Sequence, residues 1–169
     1  LQQRLWEPMG AAYAASWSTD DAGRAKAFCC LHARAIDLAR FGQLMVDGGR
    51  RDGVEIVPGD WIDGLLERAR RGEGYADQWW LLHDPRSGPD AVALLAEGIL
   101  GQFVFAHPKS GIVIVRIGEG SGDLPWRRLF GAIAAANQNT SETGREEAPP
   151  HREDAAPVGA LGQPSTTAD

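Results

Sequence analysis

Cysteine is nearly missing from this chain: there are two, Cys29 and Cys30, and they are neighbours. Disulfide geometry strains the peptide between adjacent cysteines, so the pair is expected to stay unbridged and no disulfide framework is expected to hold the fold. Long apolar runs are lacking too. The longest are short and broken by glycine, charge or proline, which argues against a membrane span. A surplus of positive charge is also absent. The formal net charge is −6, from 17 basic and 23 acidic residues, and positions 138–169 carry 2 of the former and 6 of the latter, leaving 15 against 17 in positions 1–137. Such a balance has no electrostatic footprint for nucleic acid or an anionic membrane, both of which need clustered Lys and Arg.

Motifs that announce a cofactor are missing as well. His32, His83, His107 and His151 are scattered, with no paired-histidine or Cys-x-x-Cys spacing, so no metal is expected. Gly118, Gly120 and Gly122 follow a strand without the third glycine placement or the following βα unit of a dinucleotide loop, and no Gly-Lys-Ser/Thr loop occurs. No Gly-x-Ser-x-Gly elbow presents a serine for a Ser-His-Asp triad. No cofactor is therefore expected.

What is present is 169 residues, 43% hydrophobic and 24% charged, the composition of one globular domain. A chain of this size can bury roughly 70% of its unfolded surface, enough for a true core. It opens Leu1-Gln-Gln-Arg-Leu-Trp6, with no initiator Met, basic n-region or apolar h-region. This reads as the last turns of a helix begun upstream, so a preceding segment is expected. Pro8-Met9-Gly10 stops that helix. After loop chemistry to Lys26, Phe28-Cys29-Cys30-Leu31 leads into a predicted helix over 32–47, with Leu31, Ala35, Leu38, Gly42 and Met45 on one stripe and Gly48-Gly49 ending it. Asp37 and Arg40, three apart on that helix, are expected to pair with each other.

Asp52-Gly53 predicts a turn before a short extended piece, Val54 to Val57. A second helix is predicted over 58–71, with Trp61, Ile62, Leu65, Leu66 and Ala69 inward and the arginines at its end solvated. The pattern then changes to short strands over 75–82, 91–95 running toward Gly98, 102–106 and 111–117. Connections this short make them antiparallel neighbours. Pro125 can begin a helix reaching about Asn137 and lying across the sheet. Residues 138–169 contain only Val158 and Leu161 as large aliphatics and are expected to form a disordered Pro/Ala/Ser/Thr/acidic tail, because they cannot bury enough to offset their entropy.

The informative stretch is Ala96-Glu97-Gly98-Ile99-Leu100-Gly101-Gln102-Phe103-Val104-Phe105-Ala106-His107-Pro108, followed by Gly111-Ile-Val-Ile-Val-Arg-Ile-Gly118. Trp6-Glu-Pro-Met-Gly10, Ala27-Phe-Cys-Cys-Leu31, Asp37-Leu-Ala-Arg-Phe-Gly42 and Asp52-Gly-Val-Glu-Ile-Val-Pro58 precede it. In order and spacing this set resembles the C-terminal half of the serine β-lactamase and penicillin-binding superfamily, nearest to its class C-like esterases and 6-aminohexanoate-dimer hydrolases. The likeness covers residues 1–137. It implies an α+β fold, an antiparallel β-sheet flanked by helices as in the β-lactamase and transpeptidase enzymes, here incomplete.

The resemblance also implies a nucleophile in a Ser-x-x-Lys motif, assisted by the Tyr of a Tyr-x-Asn motif, acting through an acyl-serine. Neither is present. None of Ser16, Ser18, Ser87, Ser110, Ser121, Ser141 or Ser165 has Lys three residues on, and neither Tyr13 nor Tyr75 has Asn two residues on. The chain alone is expected to be inactive, its partners being the missing N-terminal half of the domain and a small ester or amide substrate. What it can carry is one wall of the site. Ala96-Glu97-Gly98 matches the family's Lys-Thr-Gly position, and Ile99 would give a backbone N–H to the oxyanion hole. Glycine at 98 and 101 lets that strand approach a scissile carbonyl, although the same glycines also fit a tight hairpin turn with no further role.

Ala96 cannot hold a substrate carboxylate, and Glu97 would repel one if it faces the cleft, which favours neutral or cationic esters and short amides over β-lactams. Glu97 turned away would remove the second point. Glu97, Gly98, Gly101, Gln102, Phe28, Cys29 and Trp17 are the candidate substrate-binding positions. Cys29 or Cys30 fits contact with substrate or burial as a small hydrophobe. Trp79 and Trp80 point to opposite faces of a strand, so at most one can join Trp17 in an aromatic wall. The rival class is a degenerate, non-catalytic relative acting as a binding or structural module.

Overall fold

The computed structural model describes residues 1–146 apart from positions 27, 85–87 and 121. A helical turn at Gln2–Trp6 precedes a two-residue pairing of β1 (Ser16–Trp17) with β2 (Leu31–His32). Then come α1 (Ala35–Val46), the small hairpin β3 (Arg50–Arg51) and β4 (Val54–Glu55), and α2 (Gly59–Arg70). β5 (Tyr75–Ala76), β6 (Trp79–His83), β7 (Val92–Glu97), β8 (Phe103–His107) and β9 (Ile112–Arg116) form one antiparallel sheet in chain order, followed by α3 (Trp126–Glu146).

The sequence pattern explains the layering. In β7 and β8 nearly every residue is buried, because helices cover both faces of the sheet and leave no side for polar alternation. Val92, Leu94 and Ala106 face one way and pack with Met45 of α1 and Ile62, Leu65 and Ala69 of α2. Ala93, Leu95, Phe103 and Phe105 face the other way and pack with Phe130 and Ala134 of α3. Period-2 alternation thus sorts two cores from one apolar run.

α1 lies tight on the sheet at Gly42. A Cβ built there would sit 2.6 Å from Val113 Cγ1 and 3.1 Å from Val104 Cγ1, so the helix approaches β8 and β9 only because that position has no side chain. Asp37, expected to pair with Arg40, is fully buried. Its pairing with Arg40 holds, but Oδ1 also accepts the Ala12 N–H (2.7 Å) and Oδ2 the Tyr13 N–H (3.1 Å). This carboxylate docks the segment before β1 onto α1, and Arg51 donates to the carbonyl of the buried Met9 in the same segment. Burial pushes the Asp37 carboxyl up, but the Ala12 amide, Arg40 and the Tyr13 amide together outweigh it and hold the group below its ordinary value.

Several expectations need correction. The first helix starts at Ala35, and Leu31 and His32 pair as β2 instead. Ala35 is exposed, and Asp37 and Leu44 are buried along with Gly42 and Met45. Trp61 is partly exposed, its Nε1 donating to Asp77 (3.0 Å). The strand expected over 75–82 is a hairpin, because Asp77 (φ 48°) and Gln78 (φ 70°) take the left-handed backbone of a two-residue turn without its usual glycine. α3 runs past Asn137 to Glu146, and the expected tail lies outside the described residues from position 147 on.

Two outcomes follow from this packing. Gly42→Ala should destabilise the fold by about 1–3 kcal/mol through overpacking against Val113. Gly64→Ala, on the exposed face of α2 with nothing within 4 Å of the added methyl, should stabilise it by about 0.5–1 kcal/mol. Urea midpoints of the two variants check both signs. For Asp37, whose carboxyl is held low in the folded state, the stabilisation is complete above the ordinary carboxylate range and is lost as pH falls through the depressed value. The stability of Asp37→Asn should therefore vary less than that of the parent between about pH 5 and pH 2, read by denaturant titration at each pH.

Candidate functional site

The Ala96-to-Gln102 stretch forms the end of β7 and the turn into β8. Gly98 N–H donates to the Gln102 carbonyl (2.8 Å) and Gly101 N–H to the Gly98 carbonyl (3.0 Å), with Gly101 in the left-handed region at φ 75°. A Cβ on Gly98 would meet Gln102 Oε1 at 2.7 Å, so a side chain there would displace the Gln102 amide from its present position. Gln102 Oε1 accepts the Leu100 N–H (3.2 Å), and its Nε2 donates to the Gly118 carbonyl (2.9 Å). Gln102 shapes the turn from within.

Arg116, at the end of β9, completes the brace. Its guanidinium donates to the carbonyls of Gly101 and Gly120 (2.7 Å for the latter) and lies 4.5 Å over the Trp126 ring. The β7–β8 turn and the loop after β9 are thereby tied into one ledge. On that ledge Ile99 is fully exposed, and among the described residues nothing accepts its N–H. The turn is therefore held from its flanks while one backbone donor faces outward.

Glu97 is engaged by α3. It lies on the α3 face of the sheet, and Arg127 donates to Oε2 (2.7 Å) while stacking over Trp80 at 4.3 Å. Its charge is matched by the helix, so repulsion of a substrate anion cannot be argued from this residue. Trp79 and Trp80 do point to opposite faces. Trp79 is buried and stacked on Phe41 (5.7 Å), whereas Trp80 is partly exposed beside Tyr75.

The remaining candidates gather elsewhere, in the excursion between β1 and β2. Trp17 Nε1 donates to the carbonyls of Lys26 (2.9 Å) and Cys29 (2.6 Å), and Phe28 is 87% exposed. The expectation of unbridged cysteines is wrong: Cys29 and Cys30 are joined to each other, and neither is free. The left-handed backbone of Cys30 (φ 73°) accompanies this bridge, a conformation that a helix or strand reading of the segment would not include. No hydrogen bond, ion pair or ring contact among the described residues joins this excursion to the ledge.

Two surface grooves lie away from both groups. One, of about 430 Å³, runs beside the end of α1 and the β3–β4 hairpin, lined by Arg40, Asp47, Arg50 and Arg51. The other, of about 790 Å³, lies between α3 and β6 to β8, with Leu82, His107, Arg127 and Gly131 on its walls. His107 is buried, its Nδ1 accepting the Ser110 N–H (3.1 Å) and meeting Ser110 Oγ at 2.8 Å. Burial, with the Lys109 charge added, keeps this imidazole below its ordinary pKa and hence neutral as the cap of the β8–β9 turn. Among the described residues no group of three His, Cys, Asp or Glu could hold a metal, and no helix is long and apolar enough to cross a membrane. Sequence reasoning missed Arg116; the only hint was a lone cation closing the apolar strand Ile112 to Val115.

No protein-family model matches the chain. A 6-aminohexanoate-dimer hydrolase of Paenarthrobacter ureafaciens is 29% identical over 69% of this chain and 32% of its own length. A solved structure from Bacillus anthracis, assigned as a 6-aminohexanoate-dimer hydrolase, superposes with a TM-score of 0.70 at 26% identity, over 81% of this chain and 37% of that one. The chain thus spans about a third of the length of these relatives. It has the α+β architecture of the β-lactamase-fold hydrolases and is related to them, as its residue pattern implied.

If Arg116 holds the ledge, Arg116→Ala should speed hydrogen exchange at the Gly98 and Gly101 amides by about tenfold or more, while amides in the middle of α2 keep their protection. Unchanged protection at both glycines would remove Arg116 from this role.

Proposed function

From that kinship we propose that this chain provides one wall of an acyl-transfer site in a β-lactamase-like serine hydrolase that cleaves esters or short amides. The observation that carries the reading is the outward, unpartnered Ile99 N–H on a turn braced by Gln102 and Arg116. An oxyanion donor must be in place before charge develops on the carbonyl oxygen, and a rigid backbone amide meets that need without reorganisation. Gly98 and Gly101 keep side chains out of the approach.

The reacting hydroxyl and its activating Lys and Tyr are supplied by polypeptide outside these residues, since neither Ser-x-x-Lys nor Tyr-x-Asn occurs in the sequence. In this reading the 169 residues are catalytically silent alone and act with a segment that carries those motifs. Ile99, Leu100, Ile117 and Leu124, all at least half exposed on or beside the ledge, are the apolar surface such a segment would cover. Phe28, Cys29 and Trp17 would border the same substrate from the β1–β2 excursion. Substrate class follows from the wall itself. Ala96 offers no cation to a carboxylate, so an uncharged acyl group suits the site better than a β-lactam acid. The relative from Paenarthrobacter, by name a hydrolase of the 6-aminohexanoate dimer, makes a linear amide the first substrate to try.

The test is an assay of p-nitrophenyl acetate and the 6-aminohexanoate dimer with the chain alone, and with the chain joined to a segment bearing Ser-x-x-Lys and Tyr-x-Asn. No turnover is expected from the first and turnover through a trappable acyl-serine from the second. In the active form Ile99→Pro, which deletes the N–H, should lower kcat by about 10²–10³. Hydrolysis by the isolated 169 residues that a serine trap abolishes would overturn the reading. Persistent inactivity of the joined form, correctly folded, would favour a non-catalytic module.

A further inference from the structure

The excursion between β1 and β2 holds chemistry that acyl transfer does not use. Its base is fixed by backbone bonds: Ser18 N–H donates to the Cys30 carbonyl (3.0 Å), Lys26 N–H to the Ser18 carbonyl (3.0 Å) and Cys29 N–H to the Lys26 carbonyl (3.0 Å). The Trp17 indole N–H reaches the Lys26 and Cys29 carbonyls together, so one donor reports the relative position of both ends of the segment that presents Phe28. At its close, Cys29 and Cys30 are bonded to each other, with Cys30 in the left-handed region that residues bearing a Cβ seldom adopt. Cys30 is exposed and Cys29 half-buried, so Cys30 is the more open end of the bridge.

We propose that Cys29–Cys30 is a redox-modification site, a thiol–disulfide switch whose state sets the conformation of the loop carrying Phe28. The co-reactant is a dithiol reductant. Its thiolate attacks the Cys30 sulfur, the S–S bond breaks, and Cys29 leaves as a thiolate that takes up a proton. The second thiol of the reductant then displaces Cys30 from the mixed disulfide, which leaves as its own thiolate and is protonated in turn. Two electrons pass to the protein, the reductant departs as its cyclic disulfide, and a disulfide oxidant reverses the exchange. Once the bridge is open, no covalent ring holds Cys30 left-handed. The backbone there relaxes toward ordinary φ, the Cys29 carbonyl swings off the Trp17 indole, and the loop loosens around Phe28. Two adjacent cysteines serve this purpose because the closed ring constrains a single peptide and leaves the rest of the fold untouched. The exchange itself does not depend on the hydrolase reading, although Phe28, Cys29 and Trp17 are residues which that reading sets beside substrate.

The test uses the 169-residue chain purified without reductant. Alkylation under denaturing conditions should add nothing to the mass, and alkylation after dithiothreitol treatment of the native protein should label both cysteines. Trypsin cleavage after Lys26, followed by mass spectrometry, should be severalfold faster in the reduced protein and return to the slow rate after reoxidation with oxidised glutathione. Cleavage after Arg70, at the end of α2, should not respond. The double variant Cys29→Ser/Cys30→Ser should be cleaved after Lys26 at the fast rate in both conditions. Two free thiols that persist after oxidised glutathione, or equal cleavage after Lys26 in the two redox states, would overturn the proposal.

Discussion

A single guanidinium holds together the β7–β8 end of this molecule. Arg116 closes β9 and spans from the β7–β8 turn to the loop after β9, where the backbone turns sharply and has few partners of its own. Carbonyls at Gly101 and Gly120 would otherwise face water. By accepting from one planar cation, they hold two loops at a fixed separation, and the flat face of that cation rests on Trp126 at the start of α3. Gln102 repeats the arrangement one layer in, reaching Leu100 with its oxygen and Gly118 with its nitrogen. Everything proposed for Ile99 depends on this brace, because a backbone N–H on a mobile turn would have to be ordered afresh at each encounter.

The ledge in turn depends on a sheet that is covered on both sides. β7 and β8 lie between the α1/α2 layer and α3, so their edges and turns are positioned by packing from two directions. Gly42 lets α1 settle onto Val104 and Val113, and Asp37 fastens the chain before β1 to the same helix through two amides and Arg40. A buried carboxylate is tolerable there only because hydrogen bonds reach both of its oxygens.

Some local readings held because they rest on short-range physics. The four expected strands with tight connections could only be antiparallel neighbours, although the first of them folds back as the β5–β6 hairpin, and Trp79 and Trp80 had to part to opposite faces. Others failed where a residue's role is set across the chain. Trp61 fits the apolar stripe of α2 yet lies at the surface with Asp77, which the unrecognised turn at Asp77-Gln78 brings beside it. Asp37 pairs with Arg40 as its spacing implies, but nothing in that spacing shows that the segment at Ala12 and Tyr13 folds over it. Cys29 and Cys30 obeyed no general expectation, since the left-handed turn at Cys30 is a feature of one loop.

By itself the amino-acid order determined the two middle helices, the run of short antiparallel strands after them, the likeness to β-lactamase-fold hydrolases with the α+β class it implies, and the absence of the Ser-x-x-Lys and Tyr-x-Asn motifs, because periodicity, turn residues and motif spacing are properties of neighbours along the chain. It also singled out Gly98, Ile99 and Gly101 as a place where backbone approaches something closely. Only the tertiary structure decided which way Glu97 turns, what Gln102 and Arg116 hold, and that the Ile99 amide is left without a partner. Each of those outcomes depends on groups far apart in sequence, Arg127 for Glu97 and Gly118 and Gly120 for the ledge, and the direction of a charge or a free donor is fixed only once such distant partners have met.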